Sequence, residues 1–184
     1  MMESLRSQLL VAVPNLGDPN FHRSVVLMIQ HDEDGALGVV LNHRSTMTLA
    51  DVWEQISDEP CDSEELINLG GPVQGLVLAL HSSEDCADNE VLPGVYLAMQ
   101  PESINKIVQR QEHPFRIFVG YSGWGEGQLE DELAAGGWLT APAKPEHLFH
   151  DDEDLWKTVA ESIGHNALFK SLSIAQMPDD PSLN

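Results

Sequence analysis

The chain has 184 residues, the length of one domain able to bury roughly 70 per cent of its unfolded surface without disulfide staples. Its 30 Asp and Glu against 9 Lys and Arg give a net charge of −21, and the cations are scattered along the sequence, which disfavours direct contact with a phosphate backbone. Cys61 and Cys86 sit in acidic, polar surroundings with no third cysteine for a paired metal motif. No export signal and no run of the roughly 20 apolar residues of a membrane span is present, so a cytoplasmic protein with two free thiols is expected.

Gln8 to Val13 reads as a first strand, followed by a loop from Pro14 to Asn20 whose residues are turn formers. Val25 to Gln30 and Leu37 to Asn42 flank the turn Asp32-Glu33-Asp34-Gly35 and predict a hairpin. Neither run alternates cleanly, so both faces are expected to be covered. Thr48-Leu49-Ala50-Asp51 has the form of a capping box and opens a helix over 49–56, with Leu49, Val52, Trp53 and Ile56 at helical spacing. Short strands are predicted over 66–69, 76–80 and 95–98, with polar loops at 57–65 and 81–90. Pro101 starts a helix whose Ile104, Ile107 and Val108 share a face, and Pro114 ends it.

The densest signal follows. Phe115 to Val119 is an apolar strand, and Gly120-Tyr121-Ser122-Gly123-Trp124-Gly125-Glu126-Gly127 reads as an ordered glycine-rich loop ahead of a helix over 128–134. A strand over 138–141, helical material over 146–149 and 155–163, and a loose polar tail over 177–184 complete the chain. Hairpins without a regular βαβ period predict one α+β domain over 1–176 with largely antiparallel pairing.

Several chemical readings compete. Ser122 between Gly120 and Gly123 approaches a nucleophile elbow, but Trp124 stands where that turn needs a small residue. A hydrolase would draw its base from His147, His150 or His165, with Asp131 or an acid of 151–154 as orienter. The spacing of Gly123, Gly125 and Gly127, with Glu126 among them, fails as a dinucleotide loop. His147 and His150 beside Asp151 and Asp152 permit a divalent cation, although a solvated acidic turn is the simpler reading, and neither metal nor cofactor is expected. Asp18, His22, Arg23 and Ser24 form a polar group between the first strand and the hairpin, with Asp18 capping its own backbone and pairing with Arg23 as the simpler reading. Trp53, Trp138 and Trp156 read as packing residues, while Trp124, flanked by glycines, reads as a contact residue.

Residues 120 to 133, Gly-Tyr-Ser-Gly-Trp-Gly-Glu-Gly-Gln-Leu-Glu-Asp-Glu-Leu, resemble the signature of the AlgH/YqgE family. Supporting blocks stand in order: Leu9 to Leu16, Asp18, Phe21, Arg23 to Val26, Gly35 to Asn42, Gly70 to Val73, Trp138-Leu139 and Leu155-Trp156. The resemblance implies a single compact α+β domain with curved, mixed but largely antiparallel, partly barrel-like sheets flanked by helices. It also brings the label of a transcriptional regulator and a proposed role in alginate production, but no established reaction, cofactor or catalytic residue. Two departures stand out: Gln74 to Val77 lacks an arginine that many members carry, and Gly136-Gly137 replaces an asparagine.

The expected function is a regulatory or adaptor protein that binds a small molecule or protein through Asp18, Arg23, Ser24, Asn42, Gly71, Tyr121, Trp124, Glu126 and Gln128. A hydrolase using Ser122 is the alternative. A transcriptional regulator that binds DNA directly is disfavoured by the charge.

Overall fold

The computed structural model describes residues 4–111, 114–149 and 154–175, with side chains as far as 165. Strand β1 (Gln8–Ala12) pairs antiparallel with β2 (Val25–Asp32), which turns through Glu33 and Asp34 into β3 (Gly35–Val40). Leu9 and Val11 enter one core cluster, while Leu10 and Ala12 enter another. Both faces of these strands are therefore covered, which accounts for runs without polar alternation.

β4 (Arg44–Thr48) leads into α1 (Leu49–Ile56). Asp51 N–H donates to Thr48 Oγ1 at 3.1 Å and Thr48 N–H to Asp51 Oδ2 at 2.8 Å, closing the capping box that the sequence predicts. There follow β5 (Leu66–Leu69), β6 (Val73–His81), β7 (Asn89–Leu92), β8 (Val95–Ala98) and α2 (Pro101–Arg110). The last third carries β9 (Phe115–Gly125), α3 (Gln128–Ala134), β10 (Trp138–Pro142), α4 (Pro145–Phe149) and α5 (Leu155–Ala175). The expected tail over 177–184 lies outside the described residues.

The strands run β10-β1-β2-β3-β9-β6-β8-β7, with β5 parallel to β9 and β4 antiparallel to β5. The result is one α+β domain built on a curled, largely antiparallel half-barrel sheet. α4 and α5 supply Leu148, Leu155 and Val159 to one core cluster. α1 and α2 close a second around Trp53, Ile104 and Ile107, and α3 covers a third around Phe21, Trp124 and Trp138.

The glycine-rich segment is not a loop as expected. β9 continues through it to Gly125, pairing with β6 and β5 in its first half and with β3 over Ser122 to Gly125. It is the strand at which the sheet branches. The glycines serve close strand approach: at Gly120 (φ +76°) an added Cβ would stand 2.8 Å from Val73 O and 2.9 Å from Gly71 O. At Gly71 it would meet the Tyr121 carbonyl at 2.3 Å. β4 and β7 were also absent from the predicted elements. Both are outer strands: β4 is largely polar and mostly exposed, and β7 is only four residues long, exposing Asn89 and Glu90 while Val91 is buried.

Candidate functional site

The turn between β1 and β2 ends in an unusual backbone. Arg23 has φ +51°, left-handed for a residue with a side chain, which costs roughly 1–2 kcal/mol unless neighbours fix it. Asn42, just past the end of β3, does so. Its Oδ1 accepts from Val25 N–H at 2.8 Å and its Nδ2 donates to Arg23 O at 2.8 Å, clamping the two residues on either side of Ser24. The Arg23 guanidinium lies 5.6 Å from the centre of the Trp156 ring, and the Trp156 indole N–H is anchored on Ala12 O at 2.7 Å. An arginine stacked on a fixed aromatic keeps its donors free at the ring's edge.

These groups line a cleft of about 470 Å³ with His22, His43, Asp154 and Lys157. Ser24 Oγ and His43 Nε2 are 3.1 Å apart. Burial pushes the His43 imidazole below its ordinary range, opposed by a hydrogen bond to the His22 backbone, so at neutral pH it is uncharged. The pair has the spacing of a nucleophile and its base. Ser24, however, is fully buried, so no substrate reaches its oxygen, and its role is to hold His43. Arg23 and Lys157, distant in sequence, meet in this one concavity of a protein of net charge −21. Asp154 at its edge offsets part of that charge.

The other expected site residues fall elsewhere. Asp18 Oδ1 accepts from Asn20 N–H at 2.9 Å and caps its own short 3-10 turn, Pro19–Phe21. Gly71 packs its backbone on Tyr121 and Ser122 beneath the β9 branch. Trp124, expected as a contact residue rather than core, is buried in the core. It is 5% exposed, with its ring centre 6.0 Å from those of Phe21 and Trp138. Alternation along β9 explains this: Ser122 and Trp124 point inward while Gly123 and Gly125 face outward. Gln128 is exposed, with Oε1 accepting from Gly125 N–H at 3.1 Å and Nε2 donating to Glu132 Oε1 at 3.0 Å. Glu126 is exposed beyond the end of β9. None of Asp18, Gly71, Tyr121, Trp124, Glu126 and Gln128 lines the Arg23 cleft.

Ser122 lends nothing to a hydrolase. It is fully buried and its hydroxyl donates to Gly70 O at 3.1 Å. His147 Nδ1 accepts from Lys144 N–H at 3.2 Å, and His150 lies outside the described residues. Among the described residues no group of three His, Cys, Asp or Glu side chains could hold a metal ion, and Cys61 and Cys86 are free thiols. No helix there is long and apolar enough to cross a membrane.

Sequence reasoning missed three polar anchors. Glu132 Oε2 accepts from the indole N–H of both Trp124 (3.0 Å) and Trp138 (2.8 Å). Arg116 donates to Leu41 O at 2.6 Å, Leu148 O at 2.9 Å and Asn68 Oδ1, tying β9 to the end of β3 and to α4. Burial, with the charge of Arg44 added, brings the Arg116 pKa down to about 10, so the guanidinium stays charged at neutral pH. Asp88 accepts from Met99 N–H (2.6 Å), Gln100 N–H (2.7 Å) and Ser103 Oγ–H (2.9 Å) and so caps the start of α2. Only Asp88 had a legible signal, an acid in a polar loop ahead of the Pro101 helix.

Comparison with known proteins agrees with this architecture. Residues 9–168 match the AlgH-like family model. A UPF0301 protein of Myxococcus xanthus is 37% identical over 89% of this chain and 93% of its own length. One of Xanthomonas oryzae is 42% identical over 87% and 89%. The solution structure of the AlgH protein from Pseudomonas aeruginosa superposes with a TM-score of 0.75 at 30% identity, covering 98% of this chain and all of that one. The crystal structure of protein DIP2367 from Corynebacterium diphtheriae gives 0.64 at 26% identity, over 86% of each chain. The chain belongs to the AlgH-like family.

Proposed function

We propose that the protein is a cytoplasmic regulatory or adaptor protein that recognises an anionic group, a carboxylate or phosphate on a small molecule, in the Arg23 cleft. One observation carries the reading: Arg23 is held in a left-handed backbone by both ends of the Asn42 amide and stacked on Trp156. A left-handed arginine backbone held from two sides, with its side chain lining a cleft, is an over-determined arrangement of the kind that gathers at binding sites. Lys157, His22 and His43 line the same space, and an arginine fork suits the planar or tetrahedral oxygens of such groups. The surrounding acidic surface would repel extended polyanions and admit only a compact anion, which also counts against direct DNA binding.

The reading is tested by a thermal-shift screen of di- and tricarboxylates and phosphorylated metabolites against wild type and Arg23→Gln. A ligand at 100 times its Kd stabilises the native state by about 2.7 kcal/mol, and that gain should vanish in the variant. Equal stabilisation of both proteins by every hit, or no hit among the anions, would refute the cleft as the site. A response confined to acidic peptides would move the occupant to a protein partner.

A further inference from the structure

Both ring nitrogens of His43, a half-buried residue of the Arg23 cleft, are engaged by the protein itself. Nε2 lies 3.1 Å from Ser24 Oγ, and the ring also bonds to the His22 backbone, a contact that favours its charged form. A backbone carbonyl accepts in every state, and a serine hydroxyl accepts as readily as it donates. The neutral ring therefore receives the Ser24 proton on Nε2, whereas the protonated ring donates there instead. Neither state leaves a ring nitrogen unmatched.

What keeps the ring neutral is its surroundings. Burial is the larger cause, and the charge of His22 acts in the same direction. The other charged groups around it are Arg23 on the turn before β2, Asp154 and Lys157 at the start of α5, and Arg44, the next residue, on β4. Of these, only Asp154 is an anion. A ligand anion held by Arg23 and Lys157 cancels their charge and sets an opposite charge beside the imidazole, which favours the protonated ring.

Resting on the anion-binding role proposed for this cleft, we propose that the anion enters together with a proton carried by His43, so that the cleft fills as pH falls. The sign follows from linkage. Binding favours the charged imidazole, so each anion brings up to one proton with it, and affinity climbs by up to about tenfold per pH unit between the His43 midpoints of the filled and the empty cleft. The hydrogen bonds of His43 make this change without rearrangement, because Ser24 Oγ and the His22 backbone serve both charge states.

The test is a ¹H–¹³C NMR titration of the histidines of the full chain from about pH 8 to about pH 5, without and with sulfate, whose own charge stays fixed over that range. Ionic strength is held constant with chloride, occupancy is read separately at the Trp156 indole N–H, and His43→Gln identifies the His43 resonance by its loss. The expected result is a His43 midpoint raised by at least about half a pH unit at saturation, with sulfate at least about threefold tighter at the acid end. His31 and His147, outside the cleft, should keep their midpoints, and Arg23→Gln should abolish the rise. Simple screening in a protein of net charge −21 would lower histidine midpoints, the opposite sign. A cleft that fills while His43 stays unmoved, or a rise confined to His22, overturns the proposal and leaves anion binding standing. No saturable response at Trp156 at any pH, or a His43 rise that persists in Arg23→Gln, overturns both.

Discussion

Glu132 is exposed enough in sequence terms to look like one more acid of an acidic helix, yet the structure makes it the anchor of an aromatic core. Glu132→Ala removes one carboxylate oxygen from two indole N–H groups, those of Trp124 and Trp138, at residues 5% and 4% exposed. Each buried donor left unpaired costs about 1–3 kcal/mol, so both together cost about 3–4 kcal/mol after a few tenths are returned by the better helix propensity of alanine. At this chain length that lowers the melting temperature by roughly 6–16 °C. Glu132→Gln keeps one oxygen with two lone pairs and should lose only about 1 kcal/mol. Urea unfolding followed by tryptophan fluorescence reads both values, with the exposed Glu126→Ala as a control within about 0.5 kcal/mol of wild type. A Glu132→Ala protein also within that margin would refute the role given to this carboxylate.

Two further predictions concern the frame of the sites. Gly71→Ala drives a Cβ to 2.3 Å from the Tyr121 carbonyl and 2.4 Å from Ser122 Oγ, whereas Gly75→Ala meets only open space. The first should cost more than about 3 kcal/mol and the second only the 1–3 kcal/mol of a left-handed alanine, with the two values reversed if β9 does not branch at this point. Asp88 is desolvated, which opposes ionisation, but the N–H groups of Gln100 and Met99 and the Ser103 hydroxyl outweigh this and hold its pKa below the ordinary 3.8. Its folded pKa therefore lies below the unfolded one, so its stabilisation is complete above about pH 4 and fades as pH falls through the folded value. Acid titration of stability should show the gap between wild type and Asp88→Asn closing below pH 4, and a gap independent of pH would contradict the cap.

Where local chemistry decides structure, the sequence was sufficient. The Asp32 to Gly35 turn, the Thr48–Asp51 capping box and Pro101 at a helix start each act within a few residues, and their elements stand where they were expected. Beyond that range the same residues were ambiguous. A run of glycines is equally what a loop needs and what three backbones need to cross, and only the pairing of β9 with Gly70 and Gly71 distinguishes them. The period of two through Ser122 and Trp124 was present in the sequence but hidden by glycines that have no polarity to alternate. Arg23, Ser24 and Asn42 were legible as separate polar blocks. Their union depends on the Asn42 amide, and Trp156 and Lys157 arrive from more than a hundred residues away, a distance no spacing rule spans.

The claim that the Arg23 cleft takes an anion is tested most directly by titrating inorganic pyrophosphate into the ¹⁵N-labelled protein and following the Trp156 indole N–H. That group is fixed on Ala12 O beneath the arginine, so it reports the cleft without moving. The account predicts a saturable shift in wild type, at least about tenfold weaker binding in Arg23→Gln, and further weakening as salt is raised, because the attraction is electrostatic. An indole resonance that stays still in wild type, or that shifts with equal affinity in Arg23→Gln, would contradict it.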